Sequence, residues 1–398
     1  MNILASGMGW FDHTPGGLNR YFADYMEAMR RQGHDMRGLI TARGERVSAP
    51  SYVKEVLAPA AQGAAGASTL ARNRAFAGAV RAELRREPAD VFNPHFALYA
   101  MMVTRQLLPP HVPIVTHFHG PWAQEGRVED RGGRLARGVR YRLKRRIELL
   151  SYRRSDRFIV LSAYFRDVLA DSYGIAPERI SIIPGAVDTA RFCPAPDREL
   201  VRRELGLLPD QRVFFCARRL AARMGLDRLI RAMAGVAQSH PQAVLYIAGD
   251  GVQREALRAL IAELGLGGRV VLLGRISNEA LVQWYQAADC SIVPTATLEG
   301  FGLVTVEALA CGTPVLGTPY GGTREILERF APELLFADGS PEALAARLDA
   351  VLGGAVRLPD AAQCREHVLA RYTWAEVARQ VGELFAEAVH ARSGQVAR

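Results

Sequence analysis

Lysine and long apolar runs are nearly absent from this sequence. Only Lys54 and Lys144 occur among 50 basic residues, so arginine carries the formal charge of +9. Such an excess is typical of a codon bias, and the charge alone does not indicate a nucleic-acid partner. No apolar stretch approaches the ~20 residues that span a bilayer, and the opening residues MNILASGMGWFD resemble a core strand rather than a secretion signal. We therefore expect a cytoplasmic protein that binds no nucleic acid.

Cysteine is also scarce. The five cysteines are far apart, form no C-x-x-C pair and have no histidines at metal-ligand spacing. This pattern argues against a disulfide framework and against a structural metal site, and it predicts reduced thiols. The residues concerned are Cys193, Cys216, Cys290, Cys311 and Cys364.

At 398 residues the chain is too long for one ordinary hydrophobic core and suits two domains. Short continuous apolar runs alternate in both halves with amphipathic stretches such as QREALRALIAELG, whose apolar residues recur every three or four positions. Continuous runs predict strands buried on both faces, as in parallel sheets. The predicted strands are NILAS, MRGLIT, DVFNPHF, PIVTHFH, RFIVLS, ISIIPG, RVFFCARR, AVLYIAGD, RVVLLGR, CSIVPT and PVLGT.

This alternation predicts an α/β fold of two doubly wound, Rossmann-like parallel-sheet domains. The proline-rich stretch Pro184–Pro196 is the best boundary. We place the first domain at residues 1–190, the second at 191–372, and at 373–398 a helical region that packs back on the first domain. Ligands of such sheets bind beyond the carboxyl ends of the strands, so a cleft between the domains is the expected active site.

Two segments leave alternatives open. The Ala-, Gly- and Ser-rich region Gly44–Gly78 shows little periodicity, and we interpret it as variable surface rather than a mobile loop facing the site. The basic, helix-like segment Arg127–Arg157 is interpreted either as a solvated face of an arginine-rich protein or as a contact with anionic lipid or an acidic acceptor. The second interpretation would place the protein peripherally at the inner membrane face.

The stretch LEGFGLVTVEALACGTPV, Leu298–Val315, carries the candidate chemistry. It follows the strand CSIV, so it begins as a loop at a carboxyl end. Gly300 and Gly302 allow a ligand to approach the backbone, and a helix beginning near Leu303 would offer free N–H groups to an anion. Glu299 and Glu307 would flank a diphosphate there and reach sugar hydroxyls on either side, which suits a nucleotide-sugar. The alternative is an ordinary loop charge and a solvated helix residue.

The second half resembles the donor domain of glycosyltransferase family 4, whose members retain anomeric configuration and share the GT-B fold. The matching segments run in order from Arg218 to Leu327: ARRLAARMGLDRLIRA, LYIAGDGVQREALRALIAELGLGGRVVLLGRIS, LVQWYQAADCSIVPT and EGFGLVTVEALACGTPVLGTPYGGTREIL. The resemblance implies that Glu299 contacts the donor sugar and Glu307 the ribose. It also implies donor contacts from Gly300, Phe301, Gly302, Leu303 and Val304 around the diphosphate, and from Gly274, Arg275 and Ile276 around the base.

The resemblance departs from the family at a phosphate-binding basic pair. The family usually has an arginine followed five residues later by lysine and glycine. Here Arg219 and Gly225 match, but Met224 occupies the lysine position. We expect Arg223 to substitute, because a guanidinium can bind two phosphate oxygens at once.

In the first half, the Gly16-Gly17 pair resembles the family's glycine-rich loop over the donor phosphate. Gly7 and Gly9 lack the third glycine of a dinucleotide fingerprint, so no nicotinamide cofactor is expected. His119 stands where the family has a histidine that contacts the transferring sugar or the acceptor, whereas His117 is interpreted as structural. No third ligand accompanies these two histidines, and we expect neither a metal nor a cofactor.

The resemblance thus implies a metal-independent retaining hexosyltransferase that uses a nucleotide-sugar, with UDP the expected nucleotide. His119, Glu299, Arg219 and Arg223 are its expected catalytic residues. The acceptor would be a hydroxyl of a glycan, glycolipid or small molecule, in cell-surface polysaccharide or lipopolysaccharide synthesis. The alternatives are a nucleotide-sugar epimerase on the same two-domain fold, a secondary-metabolite glycosyltransferase, and a nonenzymatic basic binding protein.

Overall fold

The computed structural model describes residues 1–11, 16–41, 49–57, 69–129 and 133–396. These residues form two compact units, Met1–Gly185 with Trp374–Arg398, and Ala186–Thr373. The chain first passes between the units inside the proline-rich stretch Pro184–Pro196. Each unit is an α/β structure built on parallel strands, which confirms the predicted fold class.

All strands of the first unit run parallel. One sheet has the order β3-β2-β1-β4 and a second has the order β5-β6-β7. A parallel bridge between Phe92 and Ile114 continues the series from one to the other. The strands are β1 (Asn2–Ser6), β2 (Asp35–Ile40), β3 (Val53–Glu55), β4 (Val91–Pro94), β5 (Val115–Phe118), β6 (Arg157–Val160) and β7 (Ile180–Ile182).

Helices cover these strands. α1 buries Tyr21, Phe22, Tyr25, Met26 and Met29, whose spacing of three and four places them on one helix face. Because β1 is covered as well, it is apolar at consecutive positions rather than at alternate ones. The helices are α1 (Gly17–Arg31), α2 (Thr69–Arg86), α3 (Ala97–Ala100), α4 (Trp122–Glu129), α5 (Arg134–Tyr152) and α6 (Ala163–Asp167), which continues into the π-helical turn Val168–Ser172.

The second unit has one parallel sheet of order β10-β9-β8-β11-β12. The order reverses between β8 and β11, and such a switch point is where doubly wound sheets bind ligands. The strands are β8 (Arg212–Ala217), β9 (Ala243–Ala248), β10 (Val270–Gly274), β11 (Cys290–Val293) and β12 (Val315–Gly317). The helices are α7 (Arg198–Glu204), α8 (Leu226–Ser239), α9 (Arg254–Glu263), α10 (Asn278–Ala287), α11 (Leu303–Ala310), α12 (Gly321–Phe330), α13 (Pro341–Leu352) and α14 (Ala361–Leu369).

The last helix, α15 (Trp374–Val396), belongs to the first unit. The Trp374 ring lies 5.2 Å from that of Tyr21 on α1, and Gln32 donates a hydrogen bond to the carbonyl of Ala375. The helix thus packs against α1.

The region Gly44–Gly78, interpreted as variable surface, contains two regular elements. β3 lies within it, and α2 begins at Thr69. Among the described strands, β3 pairs only with β2, at the sheet edge. It alternates from buried Val53 to exposed Lys54 over three residues, which is too short for a recognisable pattern. Residues 44–48 and 58–68 lie outside the described residues.

All five cysteines are free, and four of them are buried. Among the helices that the structure describes, none is long and apolar enough to cross a bilayer.

Candidate functional site

The loop after β11 lies at the switch point of the second sheet, and backbone contacts hold it in place. Thr318 Oγ1 donates a hydrogen bond to the carbonyl of Thr295 at 2.6 Å, and the amide of Ala296 donates to the carbonyl of Arg223 at 2.9 Å. The loop then turns through Leu298, which has a φ of 56°, a conformation that non-glycine residues rarely adopt. This turn presents the next residue, Glu299.

Glu299 is buried, with 8% of its surface exposed. Its Oε2 accepts a hydrogen bond from Thr295 Oγ1 at 2.9 Å and lies 2.6 Å from Arg218 Nη2. The interpretation of Glu299 as an ordinary loop charge is therefore wrong. A buried carboxylate requires such partners, because removing a charge from water is unfavourable.

Arg218 is a site residue that was not predicted from the sequence. It follows β8 directly, and β8 is hydrogen-bonded to β11, so its side chain meets the loop after β11. The side chain is buried, and among the described residues its Nε has no hydrogen-bond partner. The available signal was the arginine doublet in ARRL, of which the family resemblance selected Arg219, an exposed residue. A side chain at position 249 would place its Cβ 1.9 Å from the carbonyl oxygen of Arg218. Only glycine therefore fits at Gly249, beside the end of β8.

The arginine expected to replace the family's lysine contacts the loop that precedes Glu299. Arg223 lies in the 3-10 turn Ala222–Met224, and its Nη1 donates a hydrogen bond to the carbonyl of Leu298 at 3.1 Å. Met224 is buried. Arg223 thus stabilises the turn before Glu299, next to the place where a phosphate-binding role was predicted.

The helix α11 begins directly behind this loop. Its N-cap, Gly302, has a φ of 90°, and a Cβ there would lie 2.5 Å from Thr323 Oγ1. The amides of Leu303 and Val304 lie in the first turn, where no carbonyl of the helix can accept from them, and both residues are partly exposed. The helix start therefore offers N–H donors and a partial positive charge to an anion.

Glu307 lies one turn into α11, on the same side as Leu303. It is 4% exposed, and its Oε2 accepts a hydrogen bond from the buried Tyr285 hydroxyl at 3.3 Å. The interpretation of Glu307 as a solvated helix residue is therefore wrong. Two buried carboxylates bracket the start of α11.

The predicted base-binding residues lie at the end of β10. Gly274 has a φ of 73°, and its carbonyl accepts from the amide of Gly249 at 2.8 Å. The exposed Arg275 side chain lies 3.5 Å from Asp250, and Ile276 is partly exposed. These residues share the carboxyl edge of the sheet with the loop after β11.

Gly16, Gly17 and His119 belong to the first unit. Gly16 caps α1 and Gly17 begins it. His119 follows β5, and its Nε2 lies 3.0 Å from His95 Nδ1. His117 is buried and bonded to Asn93, which supports its interpretation as structural.

His95 and Asn93, at the end of the neighbouring strand β4, were not predicted from the sequence. The rings of His95 and His117 stack with centroids 4.1 Å apart, and Tyr21 contacts His119 at 4.9 Å. Burial lowers the pKa of His119 to about 3 and lowers those of His95 and His117, so all three imidazoles are neutral at pH 7. The available signal was the motif NPH, which ends a predicted strand as THFH does.

Several buried polar atoms near this cluster are unpaired. Tyr21 Oη, His117 Nε2 and Ser6 Oγ have no hydrogen-bond partner among the described residues. A ligand rich in hydroxyl groups would satisfy such atoms. Among the residues that the structure describes, no group of three or more His, Cys, Asp or Glu side chains forms a metal site.

Two family models match the chain. Residues 197–367 match the model described as Glycosyl transferases group 1, and residues 15–191 match the one described as Glycosyltransferase Family 4. The D-inositol 3-phosphate glycosyltransferase of Nocardia farcinica is 34% identical over 59% of this chain and 53% of its own length, so the chain spans about half of that relative. The protein of the same name from Acidothermus cellulolyticus is 31% identical over 77% of this chain and 71% of its own.

Solved structures share the fold. Sucrose-phosphate synthase from Thermosynechococcus elongatus superposes with a TM-score of 0.79 at 23% identity, covering 98% of this chain and 99% of that one. Anabaena HepE in complex with UDP and glucose superposes with a TM-score of 0.75 at 20% identity, covering 96% and 99%. Both neighbours have the GT-B fold. From these matches and the relative spanned over 71% of its length, we conclude that the chain belongs to glycosyltransferase family 4.

Proposed function

We propose that the protein is a retaining glycosyltransferase that moves a hexose from a nucleotide-sugar, with UDP as the nucleotide, to a hydroxyl of an acceptor. The observation that carries this proposal is the buried pair Glu299 and Glu307 on either side of the start of α11. Such an arrangement suits a diphosphate between two polyols, with Glu299 on the donor sugar and Glu307 on the ribose.

Departure of the nucleotide builds negative charge on its diphosphate. The amides of Leu303 and Val304 and the guanidinium groups of Arg218 and Arg219 would stabilise that charge, which is typically worth several kcal/mol of barrier. We assign to Arg218 the phosphate-binding role of the family's lysine, because its side chain ends beside Glu299. Arg223 would hold the loop and contact phosphate from its edge. With these cations the transfer is proposed to need no metal ion.

We place the base at Gly274, Arg275 and Ile276, and the glycine-rich turn of Gly16 and Gly17 over the phosphates. The UDP assignment is supported by HepE, which was solved with UDP and glucose. Retention would follow from attack on the same face, with the leaving phosphate accepting the proton of the acceptor hydroxyl. His119 would orient that hydroxyl rather than take its proton, because an imidazole whose pKa is lowered to about 3 is a weak base.

We propose a glycan or glycolipid acceptor in cell-surface polysaccharide or lipopolysaccharide synthesis, on the cytoplasmic side of the membrane. The unpaired atoms of Tyr21 and Ser6 support a polyol acceptor.

The test is thermal-shift screening with UDP-, GDP- and ADP-sugars, with and without EDTA. We expect UDP-sugars to raise the Tm with or without the chelator. Glu307→Ala should reduce that shift, because the variant cannot bind the ribose hydroxyls, whereas Glu299→Ala should keep most of the shift and lose turnover. Two variants that both behave like the wild type would refute the site.

An epimerase on the same fold would convert labelled donor when no acceptor is present. We expect no conversion beyond slow hydrolysis. Product formed only from donor and acceptor together separates the two activities.

A further inference from the structure

The exposed part of α5 combines apolar and basic groups. Leu135, Val139 and Leu143 recur every four residues and are 89%, 65% and 59% exposed. They form a stripe along one side of the helix, and Leu150 extends it. Large apolar side chains exposed in a continuous stripe indicate a surface that is covered in function. We call this stripe and the basic groups around it the α5 surface.

Arginines border the stripe. α5 carries seven basic residues and one acidic residue, Glu148, which is buried. Next to the stripe lies a cavity of about 770 Å³ whose charged lining is four arginines, Arg142, Arg145, Arg146 and Arg153, and one acidic residue, Asp171. Within the described part of the chain, Arg142, Arg146 and Arg153 form no ion pair, so their charge is available to an anion.

Two kinds of occupant would cover the apolar stripe. A second copy of the chain would bring one cluster of arginines against another, which is unfavourable. An anionic bilayer supplies acyl chains for the stripe and phosphates for guanidinium groups. The cytoplasmic leaflet carries the negative potential that attracts such a helix.

We propose that the α5 surface docks on an anionic phospholipid bilayer, with Leu135, Val139 and Leu143 inserted and a lipid phosphate in the arginine-lined cavity. The proposal goes beyond sugar transfer and does not depend on it. It supplies a reason for the position of the cationic helix in a protein whose proposed acceptor is attached to a membrane.

Sedimentation with vesicles tests this surface. The full chain should bind vesicles of phosphatidylcholine with phosphatidylglycerol, bind phosphatidylcholine alone far more weakly, and be released by high salt. Arg142→Glu with Arg146→Glu should lower the partition coefficient at least ~10-fold. Val139→Gln with Leu143→Gln should also lower it, because polar side chains do not insert among acyl chains.

The matched controls lie in the second unit. Exposed Arg203 and Arg231 changed to Glu, and exposed Leu208 and Val252 changed to Gln, should leave vesicle binding unchanged. The α5 variants should keep the wild-type thermal shift with UDP-sugar, which separates this proposal from the donor site. If the wild type and the Val139→Gln, Leu143→Gln variant bound vesicles equally, the surface would be an anion site only and the proposal would be overturned. Equal binding of the wild type to vesicles with and without phosphatidylglycerol would also overturn it.

An independent observation concerns how His119 is held. Asn93 Nδ2 donates to the carbonyl of Val115 at 2.5 Å, and this contact fixes which side of the amide is nitrogen. Asn93 Oδ1 then accepts from the Tyr25 hydroxyl at 2.9 Å and from His95 Nε2 at 2.9 Å. His95 Nε2 therefore carries a proton.

A neutral His95 has its lone pair on Nδ1, so the contact of 3.0 Å to His119 Nε2 requires a proton on that atom of His119. The remaining nitrogen, His119 Nδ1, is then an acceptor. We infer that Asn93 and His95 are positioning residues, which fix His119 in the tautomer that accepts a hydrogen bond from a substrate hydroxyl through Nδ1. The substrate contact rests on the proposed function, whereas the tautomer does not.

Nitrogen-15 spectra of histidine-labelled full chain test the tautomer, with His119→Gln to assign the signal. Wild-type His119 should show a protonated Nε2 and an unprotonated Nδ1 at neutral pH. His95→Phe keeps the ring but removes the acceptor, so it should yield a mixture of tautomers and lower kcat more than it raises KM for the donor. Tyr25→Phe is the control, because Asn93 still holds His95.

A wild-type spectrum with the proton on Nδ1 would overturn the inference without any variant. So would an unchanged tautomer in folded His95→Phe. The expected tautomer in a protein without transfer activity would support the roles of Asn93 and His95 and contradict the proposed function instead.

Discussion

At the scale of single residues, the donor loop depends on glycines that let two backbones meet. Gly321, the first residue of α12, has a φ of 59°, and a Cβ there would lie 2.1 Å from the carbonyl of Glu299. The next amide, of Gly322, donates to the same carbonyl at 3.0 Å. The start of α12 therefore fixes the backbone of Glu299 from behind.

We expect Gly321→Ala to displace Glu299, lower the Tm and weaken donor binding. Gly265→Ala is the matched control, because Gly265 has a φ of 66° and no atom within 4 Å of its Cβ position. The control should lose only the ~1–2 kcal/mol of the left-handed backbone and bind donor normally. Calorimetry and donor titration measure both effects, and equal losses in the two variants would show that the contact with Glu299 is unimportant.

Residue by residue, the candidate site was predictable where it is local in sequence. Glu299, Gly302 and Leu303 lie in one loop and helix start, so their spacing alone brings them together. Arg218 reaches Glu299 only because β8 and β11 are neighbours, and the histidine cluster exists only because β4 and β5 are. Which strands become neighbours is decided by the whole sheet, and no local pattern contains it.

At the scale of secondary structure elements, α5 carries a buried acid beneath its basic exterior. Glu148 accepts hydrogen bonds from the Tyr173 hydroxyl at 2.8 Å and from the amide of Ala123 at 3.4 Å. Burial nevertheless raises the pKa of Glu148 to about 7, so the folded protein holds this proton more tightly than the unfolded chain. The free energy of unfolding therefore falls as pH rises from the pKa of Glu148 in the unfolded chain to its pKa in the folded protein.

The free energy of unfolding should fall by up to about 3 kcal/mol as pH rises between ~4.5 and ~7. Glu148→Gln removes the charge, so its Tm relative to wild type should improve from about pH 5 to about pH 8. Exposed Glu255→Gln serves as the control and should follow the wild type. Melting curves of the three proteins that stay parallel across this range would contradict the raised pKa.

Strands buried on both faces were easier to predict from the sequence than exposed or edge elements. Eleven of the twelve described strands coincide with predicted apolar runs, ten lying wholly within them, because strands buried on both faces are apolar throughout. β3 escaped prediction because an edge strand needs few apolar residues. The exposed stripe of α5 shows the reverse case, since nothing in the sequence of Arg127–Arg157 tells whether the fold covers its apolar residues.

At the scale of the whole molecule, the alternation of strands and helices predicted two doubly wound units. This prediction stays correct when a single strand is missed, because it depends on the order of many elements. The architecture thereby places the carboxyl ends of β8 and β11 at one switch point, and those of β1 and β4 at another. The identity of the ligand depends instead on a few side chains at those ends, which is why the family was accessible from the sequence and the acceptor was not.

The chain crosses between the units twice, and the crossings are paired: Val187 forms a parallel bridge with Thr373, and its amide donates to the carbonyl of Tyr372 at 3.0 Å. The helix that completes the first unit is consequently synthesised after the whole second unit. During translation, the contact between the rings of Tyr21 and Trp374 therefore cannot form until the entire second unit has emerged from the ribosome.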